Sequence, residues 1–192
     1  MAAMPIQTRR WRRIEYERLV DQGVFQPGEH VELVAGQLVV REPQGTSHMT
    51  AIRMAEDVLR RVFGAGWEVR TQAPVALDDE SEPEPDIVVA PGHVRDYRYE
   101  HPSRPALLVE VADTSLAFDR EHKASLYARA RVPDYWIINL VERVLEVHRE
   151  PVEAAGTPYG WAYRLVRSVD ATHRLSPLAV PHATLLVADL LP

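Results

Sequence analysis

An α/β domain built on a mixed β-sheet, with a helix covering each face, is the architecture this sequence predicts. Three patterns carry that expectation. Residues 106–112 are almost unbroken in apolar side chains, the mark of a central strand covered on both sides. Residues 47–63 repeat apolar groups at Met49, Ile52, Ala55, Val58, Leu59 and Val62, which is helical spacing. Residues 106–140 read as strand, helix, strand, the unit that joins two parallel strands by a crossover.

From the N-terminus, 8–22 is predicted as a helix, with Thr8 as its cap and Gly23 just past its end. Alternation over 31–41 around Ala35-Gly36 predicts a β-hairpin. The helix at 47–63 takes Ser47 as cap and Gly64 as stop. Residues 67–77 read as a strand, 78–84 as an acidic surface loop and 85–90 as a new strand, with Pro85 tolerated at its first position. Residues 91–105, rich in proline, histidine and charge, form an irregular excursion before the central strand. Beyond it come a helix at 118–130, strands at 134–140 and 144–149 joined by a tight turn, and a strand at 159–167. The tail, 179–191, gives a short strand and one helical turn. There is no internal repeat, and 1–192 is read as one domain.

Composition narrows the function classes. Apolar content of 46% and charged content of 26% are ordinary for a globular chain. No apolar run reaches the roughly 18 residues that span a bilayer. Residues 1–13 carry arginines without an apolar stretch behind them, so no secretory leader is expected and a cytoplasmic location is. The absence of cysteine excludes disulfides, thiolate metal sites and cysteine nucleophiles. A single asparagine (Asn139) and 15 prolines fit a thermophile and a high-GC genome equally. The net charge of −6 argues against a broad nucleic-acid-binding surface. Arg9, Arg10, Arg12 and Arg13 nevertheless cluster around Trp11, either as phosphate contacts or as a solvated helix face.

Of the 22 lysines and arginines only Lys123 is a lysine. An ammonium is a compact charge that a planar guanidinium does not replace in a catalytic role, so the lone survivor is a candidate site residue. It follows two carboxylates on predicted strands. Glu110 lies inside the apolar run 106–112, where a charge is costly unless it is paired or binds a metal. Asp86 heads the strand Ile87-Val88-Val89. If the two strands are adjacent, their carboxylates converge and repel, and a hard dication such as Mg2+ removes the conflict. The plain alternative is a buried arginine opposite Glu110. Asp119, Lys123 and Tyr127 follow at intervals of four, on one helical face. Taken alone, Asp119 and Lys123 would read as an exposed ion pair worth only about 0.3–0.5 kcal/mol.

The order Pro85-Asp86, Val109-Glu110-Val111, Asp119 to Lys123, Tyr127 and Val132-Pro133-Asp134-Tyr135-Trp136 resembles the Uma family of restriction-endonuclease-like proteins, within the PD-(D/E)XK nuclease superfamily. The hairpin from Val31 to Leu38 and the following His48 match the family's N-terminal part, so the likeness runs from about residue 10 to the end. It implies a restriction-endonuclease-like fold and a metal-dependent endonuclease acting on nucleic acid, with DNA as the expected substrate. It implies Asp86 and Glu110 as metal ligands with the Val111 carbonyl a third, Mg2+ as the ion with Mn2+ a possible substitute, and Glu32 completing the shell. The superfamily's usual lysine falls at Ala112, which cannot supply an ammonium, and in such relatives the lysine has moved to the next helix, which points to Lys123. Glu32 also reads simply as the polar member of an alternating strand.

His48 reads either as a phosphate or metal contact or as a surface histidine. His122 is expected in solvent, and His93 and His101 have no metal-ligand spacing. No phosphate-binding glycine loop or nucleophile elbow occurs. A nuclease-like binding module without catalysis is the main rival. A glycosidase built on the paired acids leaves Lys123 without a task. Cutting both strands of a duplex suggests a homodimer, for which the apolar C-terminal strands are the candidate interface.

Overall fold

The computed structural model describes residues 8–41 and 44–192; residues 1–7, where the expected absence of a leader partly rests, lie outside the described residues. The chain runs α1 (Arg13–Asp21), β1 (Val31–Val34), β2 (Gln37–Val40), α2 (Thr46–Phe63), β3 (Trp67–Thr71), β4 (Ile87–Pro91), a 3-10 turn (Val94–Tyr97) and β5 (Leu107–Ala112). Next comes one helix in three pieces, α3 (Leu116–Phe118), a π-helical turn (Asp119–Lys123) and α4 (Ala124–Arg129). The remainder is β6 (Asp134–Asn139), β7 (Val144–Glu153), β8 (Trp161–Asp170), β9 (Arg174–Leu175), β10 (Leu185–Leu186) and a closing 3-10 turn (Val187–Leu190).

Six strands pair in the order β3–β4–β5–β6–β7–β8, and only β5 and β6 are parallel. The 106–140 crossover is that parallel connection. Every residue of β5 is buried, as its apolar run requires. Side chains alternate across a strand, so Leu107, Val109 and Val111 join Ile52, Leu59 and Phe63 of α2 in one core, while Leu108 and Ala112 join Leu126, Tyr127 and Ala128 of α4 in the other. The predicted helix on each face is present. Among the described residues no helix is long and apolar enough to cross a membrane.

The hairpin β1–β2 turns at Ala35 (φ 46°) and Gly36 (φ 78°), both left-handed, as a two-residue turn between twisted strands requires. A Cβ at Gly36 would stand 2.7 Å from Cβ of Arg10, so the N-terminal chain packs directly on the turn. That packing explains why α1 begins later than its sequence suggests. The Trp11 amide donates to the Gly36 carbonyl and the Arg13 amide to Asp79, which holds the chain extended until Arg12 becomes the cap position. Thr8 is not the cap. α2 likewise starts at Thr46 behind Gly45, not at Ser47. β3 stops at Thr71 because Gln72 turns to φ 47° and gives its amide to the Asp86 carbonyl.

The basic cluster and the acidic loop, far apart in sequence, neutralise each other. Arg10 reaches Glu80 at 3.4 Å, Arg12 reaches Asp79 at 3.8 Å and Arg13 reaches Glu82 at 3.8 Å. Glu82 is buried, and burial together with the neighbouring Glu17 charge pushes its carboxyl up to about 7, against a smaller pull from Arg13. A carboxyl raised in the fold favours the neutral form, so its contribution is complete below the ordinary carboxylate range and is lost as pH rises through about 7. Stability should fall between pH 5 and 8, and Glu82→Gln should recover about 1–2 kcal/mol at pH 8 after allowance for solvent screening. Urea melts of both proteins at the two pH values check this; equal pH slopes would sink it.

Of the C-terminal apolar residues, Val166 and Leu178 are exposed and most of the others are covered. Val180, Leu185, Val187, Leu190 and Leu191 are buried in the α2-side core, because that face of the sheet is wider than one helix covers.

Candidate active site

The sheet register brings the two acids together. β4 and β5 pair antiparallel with Ile87 opposite Val109, so the next step along the ladder sets Asp86 opposite Glu110. Each acid is then held by the other strand's backbone. The Asp86 amide donates to Glu110 Oε2 at 3.2 Å, and the Val111 amide donates to Asp86 Oδ2 at 2.8 Å. Both carboxylates are almost fully buried, Asp86 at 1% and Glu110 at 2% exposure. The Val111 side chain faces away, into the α2-side core.

Lys123 arrives from the crossover helix. The π-helical turn, closed by the Ala124 amide donating to the Asp119 carbonyl, adds a residue to that turn, a deviation common at functional sites. The lysine is buried, and its Nζ donates to Glu32 Oε2 at 2.7 Å, lies 3.3 Å from Glu110 Oε1 and reaches Tyr127 Oη at 3.4 Å. Tyr127 in turn donates to Glu110 Oε1 at 2.6 Å. The surface ion pair with Asp119 does not form; Asp119 instead accepts from Ser115 Oγ at 2.6 Å. Nor is Glu32 merely a solvent-facing strand residue. It is buried within a wholly buried β1, and its Oε2 also accepts the Glu84 amide at 2.9 Å. Five predicted positions, Glu32, Asp86, Glu110, Val111 and Lys123, therefore meet at one place.

Two participants, Arg41 and Gln44, escape sequence reasoning, and a third, His48, reads two ways from the sequence. Arg41 Nη2 donates to Asp86 Oδ1 at 2.9 Å and its Nη1 to the Glu84 carbonyl at 2.6 Å. Gln44 Nε2 donates to the same Asp86 oxygen at 3.0 Å and is itself held by Gln72. His48 is buried against Asp86, with Nε2 3.1 Å from Oδ2, and is not a surface residue. An arginine ending a hairpin and a histidine opening a helix carry no local signal of this convergence. The buried arginine of the alternative reading is thus present, but it pairs with Asp86 and only its charge bears on Glu110. His122 is half-buried, stacked on Phe118 at 5.2 Å, instead of lying in solvent. Glu32, Arg41, His48, Asp86, Glu110 and Lys123 all line one cavity of about 390 Å³.

The electrostatics separate the two acids. Burial would raise Asp86, but His48, Arg41 and the Val111 amide outweigh it and hold its carboxyl below the usual range. Burial raises Glu110, and the Asp86 charge adds to this against the pull of Lys123. Burial disfavours the Lys123 ammonium, yet the Glu110 and Glu32 charges prevail and raise its pKa, so it stays protonated. Asp119, also on the cavity wall, is pushed up to about 8 by burial and by the charge of Glu110.

Glu32, Asp86 and Glu110 face two permanent cations, Arg41 and Lys123. Among the described residues no three His, Asp or Glu side chains form a ready-made metal-ligating group. The cations stand at the carboxylates instead. The donor chemistry still suits a hard dication, since two opposed carboxylates on adjacent strands are a common Mg2+ set and the buried His48 Nε2 beside them has no hydrogen-bond partner.

A family model described as "Putative restriction endonuclease", Uma2, matches residues 14–188. The chain belongs to the Uma2 family. A solved structure described as a putative nuclease belonging to DUF820, from Anabaena variabilis, superposes with a TM-score of 0.65 at 13% identity, covering 88% of this chain and 94% of that one. That likeness shows a shared nuclease-type fold. No curated protein matches. In this Uma2 chain the Asp-Tyr-Trp motif after the helix is structural. Asp134 accepts the Trp136 Nε1–H at 2.7 Å at the start of β6, three residues before Ile137, the partner of Glu110.

Proposed function

We propose that this Uma2 chain is a divalent-metal-dependent endonuclease-like phosphodiesterase that hydrolyses nucleic acid, with DNA as substrate. The observation that supports it most is the buried, register-matched Asp86 and Glu110 pair with the Lys123 ammonium 3.3 Å from Glu110, on the wall of an open cavity. Asp86, Glu110 and the Val111 carbonyl would hold Mg2+ or Mn2+. When bound, such an ion lowers the pKa of a coordinated water and neutralises charge on the phosphate. Glu32 and Tyr127 position Lys123, which as a charged donor orients the attacking water or binds a phosphate oxygen. Arg41 supplies a second fixed cation at the cavity wall.

One observation favours the rival, a nuclease fold that binds without cutting. Asp86 already accepts from Val111, Arg41 and Gln44, so an ion must displace existing donors. A plasmid-nicking assay with Mg2+ or Mn2+ and an EDTA control decides between them. Wild type should nick supercoiled DNA only with metal, and Asp86→Asn should not nick it. Metal-independent cutting, or undiminished cutting by the variant, would overturn the proposal. A melting point unmoved by millimolar Mg2+, with no nicking, favours the inert module.

A further inference from the structure

We infer that the cavity between the crossover helix and the β7–β8 hairpin is a second binding site, for a neutral planar heteroaromatic compound of the nucleobase or nucleoside class. The inference goes beyond the cutting reaction and does not rest on it. The cavity measures about 520 Å³ and shares no lining residue with the one at Asp86. His148 lines it, with a side chain only 6% exposed. Its Nε2 is buried without any hydrogen-bond partner. Glu146 Oε2 stands 3.8 Å away, beyond hydrogen-bonding reach, and Arg120 and Asn139 already hold that carboxylate. A buried nitrogen left unpaired carries its desolvation cost uncompensated, so a ligand atom that pairs with it gains on binding. Ser125 supplies a second polar point. Its Oγ accepts the Tyr159 amide at 3.0 Å, which leaves the hydroxyl proton to donate. Trp161 and Tyr163 line the same space, with the Tyr163 ring edge-on to His148 at 5.9 Å. Hydrogen-bonding groups beside aromatic rings match a flat ring system with polar edges, which stacks and pairs at once. Charge narrows the class. Glu121 and Glu146 face a single cation, Arg120, which Glu146 already engages, so no free positive charge receives a phosphate. A nucleoside fits these terms and a nucleotide does not.

An NMR titration of the nitrogen-labelled full chain with adenosine and with cytidine tests this, with ribose and adenosine monophosphate as controls. At least one nucleoside should bind saturably and shift the imidazole nitrogen signals of His148. Ribose should not, and the monophosphate should bind more weakly than adenosine by about 5-fold or more. His148→Phe keeps the ring volume without the nitrogen and should weaken nucleoside binding by about 10-fold. Trp161→Leu removes a stacking surface and should weaken it by a similar factor, about 10-fold. Circular dichroism shows whether the variants are folded, and the wild-type titration needs no variant. Unmoved His148 signals with both nucleosides, binding undiminished in folded His148→Phe, or a monophosphate that binds more tightly than adenosine overturns the inference. Each of those results leaves metal-dependent cutting intact.

Discussion

Lys123→Met is expected to cost about 3–5 kcal/mol of folding stability in metal-free buffer and to abolish nicking. The ammonium is the charge that reconciles Glu32 and Glu110, donating at 2.7 Å to the first and lying 3.3 Å from the second. A methionine fills the volume but leaves two buried carboxylates facing each other with Arg41 as the remaining cation. Removing one partner of a buried pair costs far more than the pair itself contributes, because an uncompensated charge remains. Chemical denaturation in EDTA measures the loss. Adding Mg2+ should restore part of it, since a dication at the acids substitutes for the missing charge. Lys123→Arg keeps the charge in a slot shaped for a smaller group, so it should lose activity while costing about 1–3 kcal/mol through overpacking. A methionine variant as stable as wild type would show that Lys123 is not the counter-ion its contacts imply.

Asp134→Ala is expected to lose a similar amount, about 3–5 kcal/mol, by a different route and without altering the chemistry. Asp134 is fully buried at the head of β6. Its Oδ1 accepts from Trp136 Nε1 at 2.7 Å and Arg149 Nε at 2.8 Å, and its Oδ2 from Arg149 Nη2 at 3.1 Å and the Leu178 amide at 2.9 Å. One carboxylate thus ties β6, β7 and the C-terminal tail together, and alanine orphans four donors at once. Because Asp134 lies outside the cavity lining, three residues along β6 from the partner of Glu110, nicking per folded molecule should be unchanged. Melting temperature together with specific activity below the melting point separates the two variants. A fall in specific activity with Asp134→Ala would mean that the tail bears on the site.

The sheet and its two covering helices were legible because their signals are local and periodic. Glu110 was legible for the opposite reason, as a charge where the pattern demanded an apolar group. Rarity singled out Lys123, and the sequence also singled out Glu110 and Glu32, beside which the structure buries it. Spacing of four suggested Asp119, whereas the buried ammonium turns to Glu32, 91 residues away in sequence. Arg41 and Gln44 carry no assignment, and His48 keeps two readings, because their roles arise only when the hairpin and α2 dock beside Asp86, a long-range event with no signature in their own segments. The same limit explains α1. Thr8 is a sound cap by composition, but hydrogen bonds to Gly36 and Asp79 hold the preceding chain extended.

Ala112 and Glu110 occupy alternate positions of β5 and so share the face that the crossover helix covers. An ammonium can be delivered to that spot from the strand at position 112 or, as here, from the helix at Lys123. What this fold fixes for the ammonium is therefore a point in space, not an interval along the polymer. A search keyed to a fixed interval on one strand would pass over this chain, which reaches the point from the helix.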